Sequence, residues 1–350
     1  MTMITAIALF CFLVLSGIAA AFNRTVSLPL FFELEELSRL VAISYCIGNT
    51  GVQEPFECLS HCSEFKDFQL VETWSNGIIE ASSAGYIVLS HAPNVPRIIA
   101  VFRGTHSFAD AVKDLTTSPA EYLPYPENDV SASCTNCTVH SGFMGAWNET
   151  KPIVMPVLQQ LIKEHPSYKV VLTGHSLGGA ISALAALELE ARGVNVTITT
   201  FGEPRLGNKN MAEYMDKIFP WNVPESDAKY RRVTHADDPV PLLPFESWGW
   251  NMHGGEIYIS KAGLPPSVSD LERCEGPVDE RCIQGSAGNS AISSEVTGNS
   301  QRVLGLPRSW HLWQLLFAHR EYFWRIGLCF DPQWRDYHPS DPEKDLTSQE

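Results

Sequence analysis

The sequence predicts an α/β protein built on a central, mostly parallel sheet with helices on both sides. Three observations predict it. The runs at 97–102 and 170–172 are apolar without polar alternation, the pattern of strands covered on both faces, and 196–201 reads as a further strand. Stretches of helical spacing, 142–165 and 180–189, lie between those runs, so each strand can return parallel to the last. Each run also ends in a polar, glycine-containing loop, where sheets of this kind place their chemistry.

Residues 4–21 are almost entirely apolar and end in Ala19-Ala20-Ala21, a small-residue cleavage signature, so 1–21 reads as a secretory signal peptide. The leader lacks an early Lys or Arg, which makes an uncleaved anchor the alternative. Residues 22–330 read as one domain, without repeats or a linker. From Asp331 the chain holds six acids and two bases, and 331–350 is expected to be a disordered tail. The net charge of −15 excludes a nucleic-acid partner, and no later apolar run is long enough to span a bilayer. A monomer is expected.

Cys11 leaves with the leader. The remaining Cys46, Cys58, Cys62, Cys134, Cys137, Cys274, Cys282 and Cys329 are even in number, which in an exported chain points to disulfides. Three couples lie close in sequence (58/62, 134/137, 274/282), leaving Cys46 and Cys329 as the long-range pair. The rival reading is zinc at Cys134-x-x-Cys137 with His140, but no second such pair lies near it. Metal and organic cofactors are both expected to be absent. Sequons at Asn23, Asn136, Asn148 and Asn195 fit an extracellular surface.

In chain order, 34–45 has helical spacing, and 67–74, 86–89 and 97–102 read as strands. The last runs into Arg103-Gly104-Thr105. Phe108, Ala111, Val112 and Leu115 then form an i, i+3, i+4, i+7 stripe opposite Asp110, Lys113 and Asp114. Such a stripe covers core in most proteins; beside a reactive loop it can instead be a short helical lid that turns its apolar face to lipid. In the 142–165 helix, Pro152 and Pro156 are expected to mark the first turn and a kink. Strands follow at 230–233 and 256–260. The Ser/Gly/Asn-rich 285–301 reads as a flexible loop, and 310–324 as a helix carrying His311 and His319.

The centre of the chain is Gly174-His175-Ser176-Leu177-Gly178, a Gly-x-Ser-x-Gly motif between a buried strand and an Ala/Leu-rich helix. By chance the motif occurs in roughly one chain in ten of this length, so the strand before it and the helix after it decide. That context is the nucleophile elbow of an α/β-hydrolase fold, with Ser176 Oγ expected to be exposed on a strained turn. A serine hydroxyl needs an imidazole base, and the imidazole needs a carboxylate to fix its tautomer. In this fold the order is Ser, acid, His. That order excludes His61, His91, His106, His140 and His165, and makes His175 a neighbour of the nucleophile rather than its base. Asp237 and Asp238 end a strand before Pro239 and are the candidate acids. Among later histidines, His253 precedes a strand and His338 lies in the tail; spacing does not separate His311 from His319.

Five ordered motifs, Phe102-Arg103-Gly104-Thr105, His140-Ser141-Gly142-Phe143, Gly174 to Gly179, Gly202-Glu203-Pro204-Arg205-Leu206-Gly207 and Asp238-Pro239-Val240-Pro241, resemble the class 3 lipases of fungi and yeasts. The similarity runs from about Leu34 to Cys329. It implies that Asp238 is the acid and His319 the base, the latter from the Tyr322-Phe323 pair and Gly327-Leu328-Cys329 that follow. It also implies Thr105 and Leu177 as oxyanion donors, Asp114 as the acid orienting Thr105, and 106–115 as the lid. The implied activity is secreted carboxylester hydrolysis, triacylglycerol being the first substrate and a lipid–water interface the place of action. The alternatives are a feruloyl-type esterase, which carries a polar lid, and an inactive lipid- or glycan-binding relative. The stretch 268–312 is longer than the resemblance leads one to expect.

Overall fold

The structure, a computed structural model, describes residues 22–75, 83–105, 118–126, 134–285 and 318–329. The leader, the 106–115 stripe with Asp114, most of 285–301, His311 and the tail lie outside these residues.

An eight-stranded sheet runs β1 (Phe68–Ser75), β2 (Ala84–Ser90), β3 (Arg97–Arg103), β6 (Lys169–His175), β7 (Val196–Phe201), β9 (Tyr230–His235), β11 (Glu256–Ile259), β12 (Leu271–Arg273). From β3 to β11 every neighbour is parallel, and the antiparallel pairings are confined to the two margins. The sheet is therefore mostly parallel, as expected from the sequence. β3 shows why both its faces are apolar. Ile98, Ala100 and Phe102 enter one core cluster, while Ile99 and Val101 enter the other.

The first cluster is completed by helices α2 (Ser141–Glu164) and α3 (Leu177–Ala191), the second by α1 (Leu28–Ser44) and by Tyr322, Phe323 and Trp324. Buried residues cover nearly every face of α3, from Gly178 to Leu189. Its Ala/Leu composition fits a helix wedged between sheet and α2.

Several sequence-based boundaries need correction. α1 begins at Leu28, six residues before the expected start, because Ser27 caps it by accepting from the Leu30 N–H at 3.3 Å and Pro29 preorganises the first turn. The run Leu-Pro-Leu-Phe-Phe is apolar on all sides and so carries no helical period. Pro152 is not in a first turn: α2 starts at Ser141, and both prolines lie inside it. The expected helix 310–324 does not extend to Trp324, because only Ala318 is helical among its described residues and His319 and Arg320 form a turn.

Two features were not anticipated. A four-stranded antiparallel sheet joins β10 (Trp250–Asn251), β8 (Gly207–Asn208), β5 (Thr138–His140) and β4 (Pro119–Glu121), with strands too short to show periodicity. Helix α4 (Lys209–Ile218) is capped by Asn208, which accepts from Met211 N–H at 3.0 Å, and buries only Met211, Ala212 and Met215.

Disulfides join Cys46 to Cys329, Cys58 to Cys62, Cys134 to Cys137 and Cys274 to Cys282. Bonded to each other, Cys134 and Cys137 offer no thiolate to zinc. All four sequon asparagines are exposed. No helix among the described residues is long and apolar enough to cross a membrane.

Candidate active site

β6 and α3 meet at Ser176, which holds φ 57° and ψ −127°. That conformation is costly for a residue with a Cβ and persists only where its surroundings over-determine it. Here they do. A Cβ on Gly174 would lie 2.3 Å from the Gly178 carbonyl oxygen, and one on Gly178 would lie 2.2 Å from that of Phe102. Only glycine lets α3 fold back this tightly over the strands. The serine as a whole is 6% exposed.

The acid sits beyond the end of β9. Asp238 is 1% exposed, while Asp237 is exposed with φ 67°. Three donors converge on the Asp238 carboxylate. The Val240 N–H reaches Oδ1 at 2.9 Å, His319 Nδ1 lies 3.1 Å from Oδ1 and 3.0 Å from Oδ2, and the Tyr322 hydroxyl donates to Oδ2. Burial alone would raise this carboxyl, but the His319 charge and the three hydrogen bonds outweigh it and hold it below the usual carboxylate range. A charged carboxylate at that end of the ring keeps the proton on Nδ1, leaving Nε2 as the basic nitrogen.

His319 is 4% exposed, and its ring lies 4.4 Å from that of His175, the residue before the serine. Of the other candidates, His253 is committed elsewhere, against Glu203 at 3.4 Å and the Tyr230 ring. His311 and His338 lie outside the described residues.

Thr105 follows the end of β3 beside the elbow. Its Oγ1 is buried and has no hydrogen-bond partner among the described residues. Leu177 opens α3, whose own hydrogen bonding begins with the Gly179 and Ala180 N–H groups donating to the Ser176 carbonyl at 2.9 and 3.3 Å. N–H groups ahead of that point are the orphan donors of a helix N-terminus, where negative charge is stabilised.

Sequence reasoning missed three participants. Tyr322 served only as a register mark beside Phe323, yet its hydroxyl touches Asp238. Tyr45 was the end of a helix, yet it lies 2.6 Å from His175 Nδ1. His175 was set aside as a base, correctly by chain order, but its Nε2 lies 2.7 Å from the His319 carbonyl oxygen. A fully buried Tyr or His has to find a partner, and that is the signal which points to all three.

Comparison with known proteins adds an independent line. Residues 99–248 match the family described as Lipase (class 3). A Gibberella zeae protein named secreted mono- and diacylglycerol lipase 2 is 44% identical over 87% of this chain and 83% of its own. Lipase A of Sodiomyces alcalophilus is 43% identical over the same shares, 87% and 83%. The crystal structure of the Lip2 lipase from Yarrowia lipolytica superposes with a TM-score of 0.74 at 28% identity, covering 88% of this chain and 97% of that one.

Proposed function

Because the chain belongs to the class 3 lipase family, we propose that it is a secreted enzyme that hydrolyses acylglycerol esters through Ser176, His319 and Asp238. The observation that carries the assignment is the buried His319–Asp238 contact at 3.0 Å, with the imidazole ring 4.4 Å from that of the residue preceding the serine. His319 Nε2 takes the proton of Ser176 as its oxygen attacks the acyl carbonyl. N–H groups of Thr105 and Leu177 stabilise the tetrahedral oxyanion, and the α3 N-terminus adds its positive end. Protonated His319 then gives its proton to the departing glycerol oxygen. Water repeats the cycle on the acyl-enzyme and releases the fatty acid.

Triacylglycerol is the substrate proposed from the sequence. The name of the Gibberella relative favours a second reading, in which partial glycerides are preferred. Secretion is supported by the apolar leader, the four disulfides and the exposed sequons. The buried position of Ser176 supports a covered site that must open for a glyceride, the role the sequence gives to 106–115.

The test is hydrolysis of emulsified tri- and diacylglycerol, a dissolved short-chain ester and a feruloyl ester, by wild type and Ser176→Ala. Release of fatty acid from emulsions, reduced to no more than about a thousandth by the substitution, is expected. Activity confined to feruloyl esters would replace the lipase reading. A Ser176→Ala protein retaining a tenth of the rate would remove Ser176 as nucleophile.

A further inference from the structure

The mechanism above leaves two buried groups unused, His175 and Tyr45. Both lie within hydrogen-bond reach of elements that the reaction requires. His175 Nε2 is 2.7 Å from the backbone carbonyl oxygen of His319, and a carbonyl can only accept, so Nε2 carries the imidazole proton. Nδ1 is then the bare nitrogen, and the Tyr45 hydroxyl 2.6 Å away donates to it. The Tyr45 hydroxyl also packs against the oxyanion loop at Gly104. Gly104 is where the chain comes closest: a Cβ there would stand 2.6 Å from the Tyr45 hydroxyl, 2.7 Å from the His175 carbonyl and 3.0 Å from Ser176 Cβ.

We propose that Tyr45 and His175 are positioning residues of the hydrolytic reaction: a hydrogen-bonded thread from Tyr45, packed against Gly104, through His175 to the His319 carbonyl fixes the backbone of the base relative to the nucleophile strand and the oxyanion loop. The inference rests on the triad assigned above and deepens it. Asp238 tethers the imidazole of His319 at Nδ1. A ring held only there can swing about that contact and move Nε2 away from Ser176. The bond from His175 supplies a second point, on the main chain, and it comes from the residue adjacent to the serine itself. Fixing two points on one residue removes that swing, and orientation of this kind contributes to rate rather than to substrate affinity.

The electrical state of the pair suits the task. Burial, and then the charge of His319, push the His175 imidazole well below its ordinary value, so it stays neutral when His319 takes up the serine proton. A second cation with ring centroids 4.4 Å apart would oppose that protonation. Burial pushes the Tyr45 hydroxyl far above its usual range, so it remains a donor throughout the working pH range.

The experiment uses the full-length enzyme and a dissolved short-chain aryl ester, which removes interfacial binding from the readout. Tyr45→Phe takes away one oxygen atom; His175→Leu takes away the bond to His319; His175→Gln returns an N–H donor at the place of Nε2. Tyr45→Phe is expected to lower kcat about tenfold with KM unchanged, the effect of one lost buried hydrogen bond. His175→Leu is expected to lower it further, and His175→Gln to recover at least part of that loss. Labelling of Ser176 by an alkyl phosphonate should slow in the same order. If Tyr45→Phe keeps the wild-type kcat, if the loss falls on KM, or if Gln is as poor as Leu, the positioning role is wrong. Should His175→Leu not fold, Tyr45→Phe alone decides, with its thermal midpoint as the check on folding. A wild-type protein that neither cleaves esters nor takes up the phosphonate would instead overturn the proposed function, so the two failures are separable.

Discussion

Replacing Asp238 by asparagine changes one atom's chemistry and leaves the shape alone, so its effect can be worked out from the donors around it. The carboxylate offers two acceptor oxygens to three donors, Val240 N–H, Tyr322 O–H and His319 Nδ1. Asparagine offers one oxygen and one NH2. If the oxygen takes the Oδ1 place facing Val240, the NH2 takes the Oδ2 place, 3.0 Å from His319 Nδ1, and competes for the imidazole lone pair, favouring the tautomer protonated on Nε2, which cannot accept from Ser176. If the amide turns over, His319 keeps its tautomer, but the Val240 N–H is left facing another donor. That arrangement costs about 1–3 kcal/mol for an unsatisfied buried group. The competent form is then a minority, and its imidazolium has also lost the buried countercharge, a further 3–5 kcal/mol or so. Together these predict a kcat lower by on the order of 10⁴. The control is Asp237→Asn. Asp237 is exposed and already at positive φ, which asparagine tolerates, so near-wild-type activity is expected. Initial rates on a soluble ester, with circular dichroism to confirm folding, provide the comparison. An Asp238→Asn enzyme within tenfold of wild type, or an equal loss in Asp237→Asn, would refute the donor count and the assignment with it.

Three further outcomes are expected. The Cys46–Cys329 bond spans 283 positions and Cys58–Cys62 only 4; chain entropy assigns them about 5–6 and about 2 kcal/mol. Alanine pairs should therefore lower the thermal midpoint much more at the first than at the second, and a reversed ranking would discard the entropic account. Burial raises the Glu64 carboxyl, but His61 and then Arg39, at 2.8 and 2.5 Å, outweigh it and bring it down to about 2. A value depressed on folding gives stability that is present above the unfolded value, near 4.3, and lost as pH falls towards 2. Glu64 is exposed, so solvent screening cuts the effect, and Glu64→Gln should be less stable than wild type by about 1 kcal/mol or less at pH 7, with the gap closing in acid; a gap independent of pH would reject the linkage. Finally, replacing Phe108 and Val112 by serine should impair hydrolysis of an emulsion far more than that of a dissolved ester, since an apolar lid face is needed only at lipid. Equal losses on both substrates would assign the stripe to core packing.

The sheet was legible at its centre because β3 lacks alternation: Ile98 and Ile99 serve opposite cores, and the sequence shows this as an unbroken apolar run. The elbow was legible for a related reason, since Gly174 and Gly178 are steric necessities that leave a fixed spacing. What stayed hidden depends on long-range neighbours. The short strands of the second sheet gain their bonds only from one another, and α4 owes its start to a single capping asparagine. The choice of His319 over His311 came from resemblance, not spacing, and the helix expected around it ends before it in a turn. Tyr45, His175 and Tyr322 carry no local pattern, because their partners lie 130, 144 and 84 positions away.

The bond between Cys46 and Cys329 closes the chain into a covalent ring that contains Ser176, Asp238 and His319. A single cut anywhere from 286 to 317 would leave His319 attached, through Cys329, to the end of α1, so the two fragments would separate only after reduction. The same closure makes the intervening stretch permissive in evolution. Its ends are held by the rest of the molecule, and doubling the length of such a segment costs only about 0.6 kcal/mol. A longer segment within 286–317 therefore costs little in chain entropy, while Cys329 keeps His319 attached to the end of α1.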